Sequence, residues 1–255
     1  METIVTRRPP ALALRGATAL LAALLVTGCV PETLSAAGPD PSSTAVASPT
    51  GTPEAAAPPT TSTSATAVAS EITVYAQPGG SAIETLPNPQ ESGAPLTFLV
   101  AARQGEWLQV LLARRPNGSM GWVTADSVAL QTLVYRLDVS TGDNTLTLSR
   151  NGQPVKTYPV ATGTGGTPTP QGSFYLTELI QPTNDGYGPY AFGVSAFSEV
   201  LSSFGGGPGQ IGMHGTDDEA SIGQSVSHGC IRLSNADITE LAQLLPLGTP
   251  LTIGP

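Results

Sequence analysis

From Glu71 onward the chain reads as short apolar or alternating runs broken by Gly, Pro and Asn: Ile72-Thr73-Val74-Tyr75, Leu96 to Val100, Trp107 to Leu112 and Gly121-Trp122-Val123. Runs of this length, rich in β-branched and aromatic residues and bounded by turn formers, predict strands, and Pro116-Asn117-Gly118 predicts a hairpin turn between two of them. Several strands packed into residues 71–130 imply a small barrel. After Gln131 the alternation resumes at Val134 to Val139 and Thr145 to Ser149, around Thr141-Gly142-Asp143-Asn144. Asn151-Gly152 then turns the chain into a third run, Val155 to Val160. Helical spacing is found once, late: Ile238, Leu241, Leu244 and Leu245 follow Asn235, a suitable cap, and end at Pro246. The expected class is mainly β, a small barrel followed by a β-rich second domain at residues 133–255 with minor helix.

The N-terminus follows a different pattern. Arg7, Arg8 and Arg15 precede an apolar run from Ala17 to Val26, interrupted only by Thr18. Such a run is too short for a permanent membrane span and reads as a targeting segment. Its end, Leu25-Val26-Thr27-Gly28-Cys29, resembles the lipobox of bacterial lipoproteins, in which a small residue precedes a cysteine that is acylated and becomes the mature N-terminus. That resemblance implies a signal peptide over residues 1–28, a lipid on Cys29, and an exported protein held to the outer face of a membrane in the cell envelope. Residues 31–70 hold 7 Pro, 7 Ser, 8 Thr and 10 Ala with no aromatic, Lys or Arg. Too little apolar surface is available there to offset chain entropy, so residues 29–70 read as a disordered tether, with a reach on the order of 100 Å.

Charge and cysteine usage narrow the functions. The formal charge of −9 becomes −11 without residues 1–28, which carry Arg7, Arg8, Arg15 and Glu2 and leave 7 basic and 18 acidic residues. A chain of that sign repels nucleic acid. With Cys29 lipidated, Cys230 has no partner for an intramolecular disulfide, and an unpaired thiol in an exported protein requires a reason. The only two histidines, His214 and His228, both lie within 16 residues of it. A cysteine nucleophile benefits from a neighbouring base and from backbone dipoles that favour the thiolate, so this cluster is the candidate site.

Two family resemblances sharpen the reading. Gly105-Glu106-Trp107-Leu108-Gln109-Val110 followed by Gly121-Trp122-Val123 resembles the bacterial Src-homology-3-like domains that accompany wall enzymes, with Trp107 and Trp122 either lining a groove or filling the small core. Gly212-Met213-His214-Gly215-Thr216, then Ser227-His228-Gly229-Cys230-Ile231-Arg232-Leu233, resembles the L,D-transpeptidase (YkuD-type) catalytic domain. Thr167-Pro168-Thr169-Pro170-Gln171-Gly172-Ser173-Phe174 resembles that family's Thr-Pro-x-Gly-x-Phe turn with one residue more. Tyr187-Gly188-Pro189-Tyr190 resembles the stretch that shapes its cleft.

The second resemblance implies a cysteine-dependent acyltransferase that cross-links peptidoglycan stem peptides through a thioester. Cys230 is then the nucleophile, His214 the proton donor and acceptor, and Gly215 the carbonyl that orients His214. His228 and Gly229 support the site or the oxyanion, and Ser227, Arg232 and Tyr190 contact substrate. It implies no cofactor, no metal and a monomer acting on wall peptides. Other readings of the same residues stay open: a zinc site of His214, His228, Cys230 and Asp217; a buried cysteine among core histidines; a thiol redox sensor; a wall-binding module; and an L,D-carboxypeptidase, in which water resolves the thioester.

Overall fold

The computed structural model describes residues 60–255; the leader, Cys29 and the tether up to residue 59 lie outside the described residues. The first seven strands are β1 (Ser62–Ala67), β2 (Glu71–Tyr75), β3 (Ala82–Pro87), β4 (Thr97–Gln104), β5 (Trp107–Leu111), β6 (Met120–Thr124) and β7 (Val128–Leu133). They form one sheet in the order β3-β2-β6-β5-β4-β1-β7. Strands from both ends of that order, with Ala65, Ile72, Val74, Phe98, Val110, Val123 and Val128, share one buried cluster, so the sheet curls around its core. Trp107 and Trp122 are half-buried outside this cluster, and Tyr75 packs edge-on against Trp107 at 5.1 Å.

The strand β1 corrects the tether boundary, because residues 62–67 were expected to be disordered. Its Ser/Thr/Ala composition carries little strand signal of its own. It is held by antiparallel partners on both sides, Ala65 facing Phe98 on β4 and Leu130 on β7. Ala65 is fully buried opposite Phe98, and tertiary context overrides weak propensity there. The expected end of the first domain at residue 130 falls inside β7, which continues to Leu133.

The remaining strands are β8 (Tyr135–Ser140), β9 (Thr145–Arg150), β10 (Gln153–Pro159), β11 (Thr162–Gly163), β12 (Gly172–Ile180), β13 (Ala191–Phe197), β14 (Gln210–His214), β15 (Ser225–Ser227), β16 (Ile231–Arg232) and β17 (Pro250–Gly254), with the helix α1 (Asn235–Leu244) before the last. Eight of them make a mixed sheet, β10-β9-β8-β17-β12-β13-β14-β16, and β11 pairs with β15 beside it. The expected β-meander opens it: β8, β9 and β10 are antiparallel, and Asn151-Gly152 turns with positive φ at both residues. Ile238 and Leu241 of α1 join Leu148, Phe174, Phe192, Met213 and Ile231 in the core. The helix starts one residue earlier than its sequence suggests. Ser234 is the cap, accepting from the Asp237 N–H, and this leaves the Asn235 side chain for another partner.

The two sheets meet through named contacts. Leu99, Leu111, Leu133 and Tyr175 form a small buried cluster between them. From the β5–β6 turn, Asn117 makes a two-way bond with the Phe197 backbone, 2.8 Å in each direction. Arg115 donates to the carbonyls of Pro208, Ser198 and Leu201 at 2.6, 2.9 and 2.9 Å and lies over the Phe197 ring. The β5–β6 turn therefore grips the segment joining β13 to β14. Asn117→Ala leaves the buried Phe197 N–H and C=O without these partners and is expected to cost about 1–3 kcal/mol. Hydrogen exchange is expected to show the loss first at residues 197–209, and unchanged exchange there would contradict this role.

Candidate active site

His214 is the last residue of β14 and only 3% exposed. Its Nδ1 lies 2.6 Å from the carbonyl oxygen of Gly215. A carbonyl can only accept, so Nδ1 carries the proton and Nε2 keeps its lone pair. Burial drives the ring's pKa down from 6.5 to about 4, against the opposing pull of the Gly215 carbonyl, and the positive Arg232 adds to the lowering. The imidazole is neutral at physiological pH. Burial also pushes the Cys230 thiol above its ordinary value, opposed by the Gly212 N–H, which points at Sγ from 3.4 Å, and by Arg232. At rest, therefore, the two residues that line the cavities together are a neutral imidazole and a protonated thiol rather than an ion pair. A side chain on Gly212 would stand 3.6 Å from His214 Cδ2 and 3.8 Å from Cys230 Sγ, which places that glycine at the junction of the two.

The loop carrying Cys230 is shaped by hydroxyls. Ser227 Oγ donates to the Cys230 carbonyl at 2.6 Å and accepts the Gly229 N–H at 3.0 Å, closing a tight turn. Thr169 Oγ1 donates to the Gly229 carbonyl at 2.9 Å and accepts the Gly163 N–H at 2.8 Å, so the Thr-Pro segment clamps the turn from outside. Gly229 has φ +117°, where a side chain is strained, and Ile211 would crowd one at 3.1 Å. The Gly229 N–H is thus already engaged by Ser227. The Cys230 N–H enters no hydrogen bond among the described residues and is the free donor beside Sγ.

The other expected residues divide by position. Arg232 follows on β16, its backbone locked to Ala161 in both directions, with its buried Nε unpartnered. His228 is exposed and stacks on Phe204 at 5.0 Å. Tyr190 is half-buried against the core, its carbonyl accepting from the Gly215 N–H, and it lines neither cavity described below. Tyr187 takes the place expected of Tyr190, with its ring 4.3 Å from that of His214. Asn235, read from the sequence as a helix cap, accepts the Thr216 N–H at 3.0 Å and steadies the turn after His214. It also approaches Gly215 and Gly188 so closely that neither could carry a side chain. Asp217 is exposed, and among the described residues no group of three or more His, Cys, Asp or Glu is placed to hold a metal ion.

Two cavities converge on Cys230 and His214. One, of about 280 Å³, is lined by Tyr187, Phe204, Asp217, His228 and Arg232. The other, of about 410 Å³, shares Tyr187 and Phe204 with the first and is also lined by Asn184, Gln210 and Glu178.

Residues 134–253 match the L,D-transpeptidase catalytic domain (YkuD) family model. The chain is 37% identical over 149 residues to the Bacillus subtilis protein YkuD, named as an L,D-transpeptidase, spanning 56% of this chain and 84% of that one. Its namesake in Bacillus licheniformis is 36% identical over 155 residues, 58% and 86% of the two chains. The chain belongs to the L,D-transpeptidase family. An L,D-transpeptidase from Mycobacterium smegmatis also aligns in structure, with 19% identity, a TM-score of 0.42, and 61% and 80% coverage. Membership of the L,D-transpeptidases makes the chain an enzyme of acyl-transfer type.

The suppressed His214 pKa fixes a sign for stability. A histidine forced neutral contributes stability above its unfolded value near 6.5, and this is lost as pH falls toward 4, because the unfolded chain binds the proton more readily. Urea unfolding is expected to show a wild-type advantage over His214→Gln that is larger at pH 7.5 than at pH 4.5. A difference independent of pH would contradict the buried neutral state.

Proposed function

We propose that the protein is a peptidoglycan L,D-transpeptidase, exported and lipid-anchored through Cys29, that cross-links wall stem peptides through a thioester on Cys230. The observation that carries this reading is the placing of Cys230 and His214 where two cavities meet. His214 Nε2 takes the thiol proton as sulfur attacks the peptide carbonyl, and the developing oxyanion faces the Cys230 N–H. Collapse breaks the C–N bond, and His214 returns the proton to the departing amine. A second peptide's amine then attacks the thioester and gives its proton to His214, and Cys230 leaves as the thiol's conjugate base and is reprotonated.

Arg232, which lines the smaller cavity, suits the terminal carboxylate of the donor. The larger cavity, which also reaches Cys230 and His214, leaves room for an acceptor, which supports transfer to an amine over simple trimming by water. Sheet β1–β7 is the Src-homology-3-like module of this reading and steadies the cleft through Arg115 and Asn117. The tether spaces both from the membrane.

Intact mass spectrometry of the full-length protein with a disaccharide-tetrapeptide tests the scheme. Wild type is expected to gain an acyl adduct with loss of D-Ala and to form dimers. Cys230→Ala is expected to do neither, and His214→Ala to acylate about 10²–10⁴-fold more slowly. Tripeptide without dimer would assign a carboxypeptidase. Neither adduct nor product across several stem chemistries would overturn the enzyme reading.

A further inference from the structure

Thr169 lies in the Thr-Pro segment behind the Cys230 turn, where no residue from 164 to 171 lines either cavity, and it is only 4% exposed. Pro168 and Pro170 on either side restrict its backbone, so little conformational freedom is lost in placing it. Gly163 lets the segment come close: a Cβ there would collide with the Thr167 carbonyl oxygen and stand 2.5 Å from the Thr169 nitrogen. The Thr164 N–H and the Thr167 hydroxyl fasten the same segment to the Ser227 carbonyl, at 3.0 and 3.3 Å.

The Gly229 carbonyl can only accept, so the one proton of the Thr169 hydroxyl goes to it, across 2.9 Å, while the Gly163 N–H donates to the same hydroxyl at 2.8 Å and fixes its rotation. Gly229 and Cys230 share one trans peptide unit, a plane in which C=O and N–H point in opposite directions. Holding the carbonyl on the side of the Thr-Pro segment therefore turns the Cys230 N–H away from that segment. Gly229, at φ +117°, has no side chain to resist rotation of this plane. Ser227 does not hold it either, because its Oγ bonds the Gly229 N–H and the Cys230 carbonyl, which belong to the peptide units before and after. The bond from Thr169 is the one that fixes the unit, and a carbonyl that accepts also polarises its own N–H into a stronger donor.

From this we infer that Thr169 is a positioning residue for acyl transfer: through the Gly229 carbonyl its hydroxyl aligns and polarises the Cys230 N–H that receives the oxyanion. Thr169 touches no substrate and acts only through that peptide unit. What position 169 requires is a donor, not a shape, since a side chain of the same volume without the hydroxyl leaves the plane free to turn. This rests on the acyl transfer at Cys230 proposed above, but not on the acyl donor being a wall peptide.

The test compares two reactions of Cys230 in the full-length protein. p-Nitrophenyl acetate transfers its acetyl group to Sγ through an oxyanion and releases p-nitrophenol. Iodoacetamide alkylates Sγ by displacing iodide, and no oxyanion forms. Each is followed as the initial rate of modification of the Cys230 peptide by mass, and the acylation rate is divided by the alkylation rate, which cancels changes in the access and acidity of the thiol. The ratio is expected to fall about tenfold in Thr169→Val, and likewise in the smaller Thr169→Ala where the valine variant fails to fold, against the 10²–10³ that outright loss of an oxyanion donor costs. Thr169→Ser keeps the hydroxyl and is expected to stay within about twofold of wild type, a rescue that a purely structural role for the side chain would not give. An unchanged ratio in the folded variants without the hydroxyl, or an equal fall in Thr169→Ser, overturns the role. With a tetrapeptide donor, Thr169→Val is expected to lower kcat about tenfold and leave KM within about threefold. If the ratio falls as expected but the wild type processes no tetrapeptide, the positioning role stands and the wall-peptide reading fails.

Discussion

The bond between His214 Nδ1 and the Gly215 carbonyl is the contact on which the site depends. A buried imidazole with an unmatched N–H carries a desolvation cost, and an imidazolium in the same place carries a larger one. The carbonyl removes the first cost, and burial forbids the second. The ring is left with one tautomer and one free lone pair, in a residue that lines both cavities with Cys230. Burial raises the thiol for the same reason that it lowers the imidazole, so both partners begin uncharged. The low polarity that disfavours a resting ion pair also makes the few donors that remain, the N–H groups of Gly212 and Cys230 and the Arg232 guanidinium, more effective toward the charge that the proposed reaction would develop.

Holding that bond in place takes contributions from distant parts of the chain. Asn235 at the start of α1 fixes the turn after His214, while Ser227 and Thr169 fix the turn before Cys230. The parallel pairing of β14 with β16 brings the two turns side by side. On the far wall, the segment bearing Phe204 is anchored by Arg115 and Asn117 from the other sheet. The candidate site thus draws on both sheets, although Cys230 and His214 belong to one.

Much of this was legible in the sequence. The His-Gly pair and the Ser-x-Gly-Cys run mark the loop that the structure places at the cleft, and the three runs read after residue 133 appear as β8, β9 and β10 with boundaries shifted by a residue or two, whereas β11 to β17 were not read one by one. What escaped depends on partners remote in sequence. β1 is a Ser/Thr/Ala segment that becomes a strand because β4 and β7 flank it. Asn235 carries a capping residue's signature, yet Ser234 takes the cap and frees it for Thr216. Tyr187 and Tyr190 sit three residues apart in a turn, and nothing in the local pattern says which ring reaches His214. Thr169 lies in a recognisable turn, but only the pairing of β11 with β15 brings its hydroxyl to Gly229.

The resting protonation state is the central claim, and nitrogen NMR of the protein labelled at histidine measures it most directly. At pH 6–7 the account predicts that His214 shows one protonated ring nitrogen, Nδ1, and an unprotonated Nε2, with no change of state until the pH approaches 4. An imidazolium signal for His214 at neutral pH, paired with a Cys230 thiolate, would contradict it.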